Sequence, residues 1–306
     1  MSVQVFGHKS PDTDSTGSSI IWAWYLNEIK GISAQARLLG ELNTEASFVL
    51  NRWSLEKPTI LTKLVDNTPV IIVDTNNPAE LPENINAADI TAIIDHHKLV
   101  GGLETKVPID ITVRPLACTA TIMYDMMGQD AYQMPEPIKG VTLSCILSDT
   151  LGFRSPTTTN YDRDIANKLA SDLGIDIPSY ASEMFQAKSD ISAFSDVELL
   201  RMDSKKYEVE HTKFRVSVLE TTVPKIVLDR KDSLMASMCD VAAEDDVDQV
   251  LLFVIDILRK EATFLVPNSL VKNVAKKSFG VDVSGDTVIL PGIMSRKKQI
   301  IPNLKL

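Results

Sequence analysis

The first half of the chain alternates between short apolar runs and longer segments whose apolar residues recur at helical spacing. The apolar runs predict strands at residues 3–7, 34–39, 70–74, 90–95 and 109–113. The helical spacing predicts helices at residues 15–30, 44–53, 119–127, 138–147 and 162–173, with Ser15 and Gly31 as N-cap and C′ residues of the first. The runs at 70–74 and 90–95 are apolar on both faces, which is typical of parallel strands covered by helices. We therefore expect an α/β fold whose N-terminal domain has a mostly parallel sheet flanked by helices.

The pattern changes in the last third of the chain. Residues 209–219 and 250–266 predict paired strands, and residues 233–243 and 270–279 predict helices. A more polar helical stretch at residues 180–195 precedes this change, and we place the domain junction within it. The predicted organisation is a first domain of residues 1–188, a linker of residues 189–195 and a smaller C-terminal α+β domain of residues 196–306 with a mixed, largely antiparallel sheet.

Composition limits the classes of function. The 306 residues are 44% hydrophobic and 24% charged, as in an ordinary globular protein of two domains. The formal net charge of −10 argues against broad nucleic-acid binding, which requires basic surface. The sequence shows neither a bilayer-length apolar stretch nor a signal peptide, so we expect a cytoplasmic protein without a membrane partner. Cys118, Cys145 and Cys239 are scattered and lack a metal-binding spacing, and the first two fit buried thiols in helices.

Three of the four histidines lie in acidic clusters that follow apolar strands. The first cluster contains His8, Asp12 and Asp14, and the second is Asp95-His96-His97, with Asp74 between them in the sequence. In parallel sheets, ligands bind beyond the carboxyl ends of the strands, where these clusters are expected to lie. Imidazole and carboxylate groups together are ligands for Mn²⁺, Fe²⁺, Co²⁺ or Zn²⁺, and many carboxylates with few histidines suit a two-metal hydrolytic site.

The acidic residues each have an alternative role. Asp12 and Asp14 are two residues apart, so an extended loop would direct them to two different metals. The alternative is a solvated turn in which Asp14 caps the following helix. Asp74 follows a buried strand, where a carboxylate needs a compensating charge, and we expect its two oxygens to bridge two cations. Otherwise Asp74 is a turn or cap residue before Asn76-Asn77-Pro78.

The adjacent histidines are expected to face opposite ways. We therefore assign His96 to a metal and His97 to substrate phosphate, as a hydrogen-bond donor or an acid, with Asp95 orienting the site. The alternative is a structural pair of histidines that bind backbone groups. Asp149, taken alone, is a helix-terminal turn residue, and His211 receives no role.

Cations cluster in the second domain. Arg296, Lys297 and Lys298 follow an apolar strand, and Lys205 with Lys206 forms another basic pair. Such runs are usually solvated, but in a chain this acidic they favour an anion clamp. Metals in one domain and cations in the other predict a substrate bound between the domains.

In combination these motifs resemble the DHH phosphoesterase superfamily and, within it, the manganese-dependent (family II) inorganic pyrophosphatases. The superfamily resemblance rests on Asp95-His96-His97, on the loop from His8 to Asp14, and on the isolated Asp74. The family resemblance rests on Ser295-Arg296-Lys297-Lys298-Gln299, Cys118-Thr119-Ala120-Thr121-Ile122 and Ser148-Asp149-Thr150 with Ser155-Pro156-Thr157. It covers essentially the whole chain and implies a DHH domain followed by a DHHA2-like substrate-binding domain.

The resemblance also implies roles for individual residues. One metal would be held by His8, Asp12 and Asp74, and the second by Asp14, Asp74, His96 and Asp149. Pyrophosphate would be gripped by His97, Lys205, Arg296 and Lys297. The implied enzyme is a homodimer that joins through its N-terminal sheet. Each subunit has two Mn²⁺ ions, for which Co²⁺ can substitute, and Mg²⁺ accompanies the substrate. The implied reaction is hydrolysis of pyrophosphate to two phosphates by a bridging water or hydroxide that the metals activate at the interdomain cleft, with Asp95 tuning His96 or the nucleophile.

Two other functions compete with this one. A DHH phosphodiesterase would act on short oligonucleotides or cyclic dinucleotides, but its relatives carry a glycine-rich, histidine-containing motif in the C-terminal domain. Here the Gly101-Gly102 pair is early in the chain and no histidine follows His211. The chain also lacks clusters of aromatic residues for base stacking. The other alternative is a metal-dependent binding module without catalysis, which the complete set of acidic ligands disfavours.

Overall fold

The computed structural model describes residues 2–306, which form two compact units divided between Ala187 and Lys188. The first unit has a six-stranded sheet, and the second has a five-stranded sheet. Within the described residues, no helix is long and apolar enough to cross a membrane.

The sheet of the first unit is parallel throughout, as expected. Its strands are β1 (Val3–Phe6), β2 (Ala34–Leu38), β3 (Thr59–Ile60), β4 (Pro69–Val73), β5 (Asp89–Asp95) and β6 (Asp110–Val113). They are arranged in the order β3-β2-β1-β4-β5-β6, with every neighbouring pair parallel. The connections change direction between β1 and β4, which makes this a topological switch point. The carboxyl ends of β1, β4 and β5 are therefore adjacent at one edge of the sheet.

Helices cover the faces of this sheet. They are α1 (Thr13–Trp24), α2 (Thr44–Arg52), α3 (Thr119–Met127), α4 (Glu136–Asp149), α5 (Asn160–Leu173) and α6 (Ile177–Lys188). Four consecutive residues of β4, Val70 to Val73, are buried, which explains why the run is apolar on both faces. α5 begins with a capping box between Thr159 and Asp162. The helical stretch predicted up to residue 195 was too long, because α6 ends at Lys188.

The first helix begins earlier than its sequence suggested. Asp12, rather than Ser15, is the N-cap, and its Oδ1 accepts a hydrogen bond from the backbone N–H of Ser15 at 2.9 Å. The last turn, Tyr25–Ile29, is a π-helix, and Gly31 follows with a φ of 66°, as its predicted C′ position requires. An earlier start places Asp14 in the first turn of the helix, where it is buried.

α1 and α4 pack closely, and this contact helps to position the site. A Cβ on Gly17 would lie 2.2 Å from Cys145 Sγ and 2.9 Å from a methyl group of Val141, so glycine is required there. Gly17 is close to Asp14 in α1, and Cys145 is one turn before Asp149 in α4. The contact therefore places the first turn of α1 beside the last turn of α4. The Cys145 thiol is buried in this contact, as the sequence indicated.

The second unit has a mixed sheet, with three antiparallel pairings and one parallel pairing. Its strands are β7 (Ser204–Val209), β8 (Thr212–Thr221), β9 (Gln249–Asp256), β10 (Glu261–Leu265) and β11 (Thr287–Pro291). Their order is β11-β10-β9-β8-β7, and only β8 and β9 are parallel. The helices are α7 (Asp196–Met202), α8 (Pro224–Leu228), α9 (Lys231–Glu244) and α10 (Ser269–Phe279). The mixed, largely antiparallel sheet is confirmed.

Two segments predicted as single strands in this unit each contain the turn of a hairpin. Residues 209–219 span the turn of a hairpin, where Glu210 and His211 have φ values of 49° and 66°. Residues 250–266 contain a second hairpin, formed by β9 and β10. All eight residues of β9 are buried, with alternate side chains in hydrophobic clusters on opposite faces of the sheet. Because β9 is buried along its whole length, its sequence does not alternate between polar and apolar residues. The pattern therefore did not show where the strand ends.

Candidate metal centre

The predicted ligands of the first unit converge where β1, β4 and β5 end. His8 follows β1, Asp74 follows β4 directly, and His96 follows β5. Asp74 has left-handed backbone geometry, with a φ of 57°, and its N–H donates to the carbonyl of Ile94 at 2.9 Å. Non-glycine residues rarely adopt this geometry, and they persist in it where the surrounding structure holds them, often at functional sites.

Asp74 occupies the centre of the cluster and is 1% exposed. Its Oδ2 lies 3.5 Å from Nε2 of His8, and its Oδ1 lies 3.3 Å from Nε2 of His96. The hydroxyl of Thr119 donates to Oδ1 at 3.0 Å. Each carboxylate oxygen therefore faces a different histidine, which is the arrangement that a bridging carboxylate requires.

Three groups of candidate ligand atoms lie at Asp74 or beside it. They are His8 with Asp12 and Asp74, Asp14 with His96 and Asp149, and Asp74 with His96 and His97. Within each group, one ligand atom per residue lies within 4.8 Å of the others. All six residues that the sequence proposed as metal ligands are therefore brought together by the fold. Asp149, a turn residue when taken alone, has Oδ2 3.7 Å from Nε2 of His96.

Asp12 and Asp14 belong to different groups, but not for the reason expected from the sequence. Asp12, the N-cap of α1, has extended backbone geometry, but Asp14 lies in the first turn of the helix, so the two residues do not share one extended segment. Asp14 does not cap its own helix either. Its carboxylate accepts hydrogen bonds from the N–H groups of Thr119 and Ala120, at 2.7 and 3.2 Å, at the start of α3. The Cys118-Thr119-Ala120 motif thus places a helix N-terminus against this carboxylate, where it stabilises negative charge.

The prediction that the two adjacent histidines face opposite ways was wrong. The rings of His96 and His97 lie side by side, with centroids 4.2 Å apart, because the chain leaves β5 before these residues. Nδ1 of His97 is 2.9 Å from Oδ1 of Asp95 and 3.9 Å from Oδ1 of Asp74. Asp95 therefore contacts His97 directly, whereas it was expected to tune His96 or the nucleophile; its charge also contributes to the raised pKa of His96. His97 is the more exposed of the two histidines.

Glu45 is a buried residue near the cluster that sequence reasoning missed. Its Oε2 accepts hydrogen bonds from the hydroxyls of Thr13, at 2.9 Å, and Ser148, at 2.7 Å. These two residues adjoin the candidate ligands at the start of α1 and the end of α4. In sequence Glu45 is only an acidic residue in the first turn of a helix, a common surface position, so no local signal distinguishes it.

The buried charges of the cluster shift one another's pKa values. Burial opposes the charged form of His8, but Asp12 and Asp74 outweigh it and raise its pKa to about 10. The pKa of His96 is likewise raised to about 9, since Asp74 and Asp14 outweigh its burial. Burial and the nearby charge of Asp74 raise the pKa of Asp14 to about 7, and burial with the charges of Asp14 and Asp74 raises that of Asp149.

The residues fit a pair of divalent cations. Asp14 is buried and Asp149 is largely buried, and burial together with the neighbouring carboxylates raises the pKa values of both, so their ionised forms lack compensating positive charge. Divalent cations would supply the missing positive charge. Imidazole and carboxylate donors are those that Mn²⁺ and Co²⁺ accept.

The raised pKa values predict that Mn²⁺ binding releases protons. At about pH 7.5 the metal-free protein should carry a proton on both His8 and His96, and each must be lost before its nitrogen can bind a metal. Apparent affinity should therefore increase as the pH rises toward about 9. Titration calorimetry in buffers of different ionisation enthalpy measures the protons released. Equal heats in all buffers would contradict this protonation state.

The predicted phosphate-binding cations of the second unit share one cavity. Lys205, Arg296 and Lys297 line this cavity of about 470 Å³. The guanidinium of Arg296 donates to the backbone carbonyl of Asp203 at 2.6 Å and pairs with its carboxylate at 2.7 Å. Asp203 precedes Lys205 by two residues, so this contact couples Arg296 to the strand that carries Lys205.

The motif that follows β11 forms a compact turn. Ser295 is the N-cap of the π-helical turn Arg296–Ile300. The side-chain oxygen of Gln299 accepts hydrogen bonds from the N–H groups of Met294 and Ser295, and its amide donates to the carbonyl of Gly292 at 2.7 Å. Lys206 points elsewhere and donates to the carbonyl of Asp245. The turn therefore fixes the backbone from which Arg296 and Lys297 project.

Two sequence families match the two units and define the class of protein. Residues 2–148 match the DHH family, N-terminal domain, and residues 182–306 match the DHHA2 domain. The chain therefore combines a DHH domain with a DHHA2 domain.

Full-length relatives identify the family. The chain is 39% identical to a "probable manganese-dependent inorganic pyrophosphatase" of Deinococcus radiodurans over 98% of this chain and 97% of that protein. It is 34% identical to a protein of the same name from Staphylococcus carnosus, with the same coverage. A Methanococcus jannaschii crystal structure assigned to family II inorganic pyrophosphatases aligns with a TM-score of 0.63 and 31% identity, over 98% of this chain and 97% of that one. The chain belongs to the manganese-dependent, family II inorganic pyrophosphatase family, as its motifs predicted.

Proposed function

We propose that this chain hydrolyses inorganic pyrophosphate to two phosphates, using two divalent cations, with Mn²⁺ preferred and Co²⁺ able to replace it. The observation that carries the proposal is Asp74, whose two oxygens face His8 and His96 at 3.5 and 3.3 Å. Family membership supports the substrate, since the relatives are named for pyrophosphate and manganese. The cytoplasmic location and the homodimer expected from the sequence remain part of this proposal.

The candidate ligands divide into two sets around Asp74. His8, Asp12 and Asp74 would hold one cation, and Asp14, Asp74, His96 and Asp149 would hold the other. When bound, two such cations would lower the pKa of a water and neutralise charge on phosphoryl oxygens. The protein keeps its own ligands in place through the hydrogen bonds of Thr119 to Asp74 and to Asp14.

His97 is suited to donate a hydrogen bond to the substrate. Its contact with Asp95 raises the pKa of His97, so the ring holds a proton more firmly than a free imidazole. Nδ1 is engaged by Asp95, which leaves Nε2 to donate to a phosphoryl oxygen. A positioned donor of this kind stabilises the charge that develops on the phosphoryl group.

The cations of the second unit complete the proposed binding of pyrophosphate. Lys205, Arg296 and Lys297 would bind phosphoryl oxygens of a substrate whose other oxygens meet the metal centre, together with Mg²⁺. The guanidinium of Arg296 can form two parallel hydrogen bonds to such an anion, which a lysine cannot. The leaving phosphate would depart with its charge offset by these three side chains.

Phosphate release tests the proposed function directly. The assay compares pyrophosphate with a short dinucleotide, each with Mn²⁺, Co²⁺, Mg²⁺ or Zn²⁺. The expected result is phosphate release from pyrophosphate, fastest with Mn²⁺ or Co²⁺, and no cleavage of the dinucleotide. Cleavage of the dinucleotide in preference to pyrophosphate would support a phosphodiesterase instead. Binding of Mn²⁺ without turnover of either compound would indicate a non-catalytic binding module.

A further inference from the structure

Asn76 is a buried residue whose side chain forms three hydrogen bonds near the metal centre. It lies two residues after Asp74 and is 3% exposed. Its amide nitrogen donates to Oδ2 of Asp95 at 2.5 Å and to the carbonyl of Lys98 at 3.1 Å. Its oxygen accepts from the N–H of Val100 at 2.7 Å. The side chain thus connects the end of β4 to the segment that follows β5.

Asp95 extends these contacts to His97. Asp95 is fully buried, and its Oδ1 accepts hydrogen bonds from both the backbone N–H and Nδ1 of His97, at 3.0 and 2.9 Å. Its other oxygen accepts from Asn76. Because donors hold both oxygens, the carboxylate has one favoured orientation, and the ring of His97 is fixed through it.

We propose that Asn76 is a positioning residue that acts through Asp95 to hold His97 in the orientation required for phosphate binding. This inference rests on the proposed function for its catalytic consequence. His97 and Asn76 both line a cavity of about 550 Å³ within the first unit, and Lys9 and Lys98 line it too. Since Nδ1 of His97 is bound to Asp95, Nε2 is the ring nitrogen available to an anion there.

The chemistry of the position favours an amide. Asn76 must donate to a carboxylate and to a carbonyl and must accept from an N–H, and a primary amide does all three. An aspartate of the same size could still accept from Val100, but it would place a second carboxylate against Asp95. Asn76→Asp therefore removes both bonds that the amide nitrogen donates, to Asp95 and to Lys98, and keeps the one from Val100, whereas Asn76→Ala removes all three.

A double-mutant cycle separates positioning from a general structural effect. Asn76→Ala should lower kcat for pyrophosphate about 10-fold, the scale found for residues that orient a functional histidine. In a His97→Ala background the same change should alter kcat less than about 2-fold, because the residue through which it acts is gone. Equal fold losses in the two backgrounds would overturn the proposal. If Asn76→Ala does not fold, as judged by circular dichroism, Asn76→Asp takes its place in the same cycle.

Asn86 provides a matched control for Asn76. Its side-chain amide also donates to a backbone carbonyl, that of Gly102, and accepts from a backbone N–H, that of Glu104. Unlike Asn76, it is exposed, and these bonds reach only that loop. Asn86→Ala should leave kcat unchanged, and an equal loss in that variant would contradict a specific role for Asn76.

Imidazole ¹⁵N NMR of the metal-free protein measures the hydrogen bond between Nδ1 of His97 and Asp95 directly, without turnover. The chain has only four histidines, which simplifies assignment. The signals of His97 should show a fixed hydrogen bond at Nδ1 in the wild type and averaging in Asn76→Ala. Unchanged His97 signals would overturn the inference. Averaged signals in a protein that does not hydrolyse pyrophosphate would instead sustain the positioning role and refute only the proposed function.

Discussion

Asp74→Ala is expected to abolish manganese-dependent pyrophosphate hydrolysis, with a loss of at least about 10³-fold in kcat, on the order of 4 kcal/mol in the barrier. Asp74 faces a histidine of each proposed metal site. Its Oδ2 lies 3.5 Å from Nε2 of His8, and its Oδ1 lies 3.3 Å from Nε2 of His96. Its removal takes one ligand from each proposed metal and the negative charge between them. The other candidate ligands each belong to one of the two proposed metals.

The control for this prediction separates loss of metal from loss of folding. Asp110 is an exposed carboxylate on β6 of the same sheet, and Asp110→Ala should retain full activity. Asp74→Asn keeps the size of the side chain but removes its charge, and it should also lose most Mn²⁺ binding in equilibrium dialysis. Full activity in a folded Asp74→Ala protein would eliminate the bridging role.

The second large effect is expected for Lys297→Ala, with a loss of about 10²-fold in kcat/KM for pyrophosphate. Lys297 is exposed and lines the same cavity as Lys205 and Arg296, where it can bind a phosphoryl oxygen. It lies in the second unit, whereas the proposed metal ligands lie in the first. Mn²⁺ affinity measured by calorimetry should therefore stay within about 2-fold of the wild type, since the proposed ligands are unchanged.

Lys298 provides a matched comparison for Lys297. It has the same charge and is also exposed on the same turn, but it is not among the described residues that line the cavity. Lys298→Ala should change kcat/KM by less than about 3-fold, as exposed charges outside a site usually contribute little. Equal losses in the two variants would indicate a general electrostatic effect rather than a specific contact. Loss of Mn²⁺ binding in Lys297→Ala would contradict the division of roles between the two units.

The sequence predicted the parts of the site that depend on strand ends. Continuous apolar runs identified parallel strands, and the first polar residues after them were Asp74 and the Asp95-His96-His97 cluster. In a parallel sheet those ends must be adjacent, so convergence followed from the fold class. Asp149 could be proposed as a ligand only from the family resemblance, because its position depends on how α4 packs against α1.

Contacts between distant segments could not be predicted in this way. The buried role of Asp14 depends on α3, which begins more than 100 residues later in the sequence. Glu45 and Asn76 have ordinary local contexts and acquire their contacts only when separate elements meet. The wrong start of α1 has a local cause instead, since Asp12 and Ser15 are both good N-cap residues and the sequence does not distinguish them.

The most direct test of the account is a crystal structure with manganese, in which anomalous scattering locates each ion. The account predicts two Mn²⁺ ions, one beside His8 and one beside His96, with one oxygen of Asp74 bound to each. A single fully occupied ion, or two ions that do not share Asp74, would contradict it.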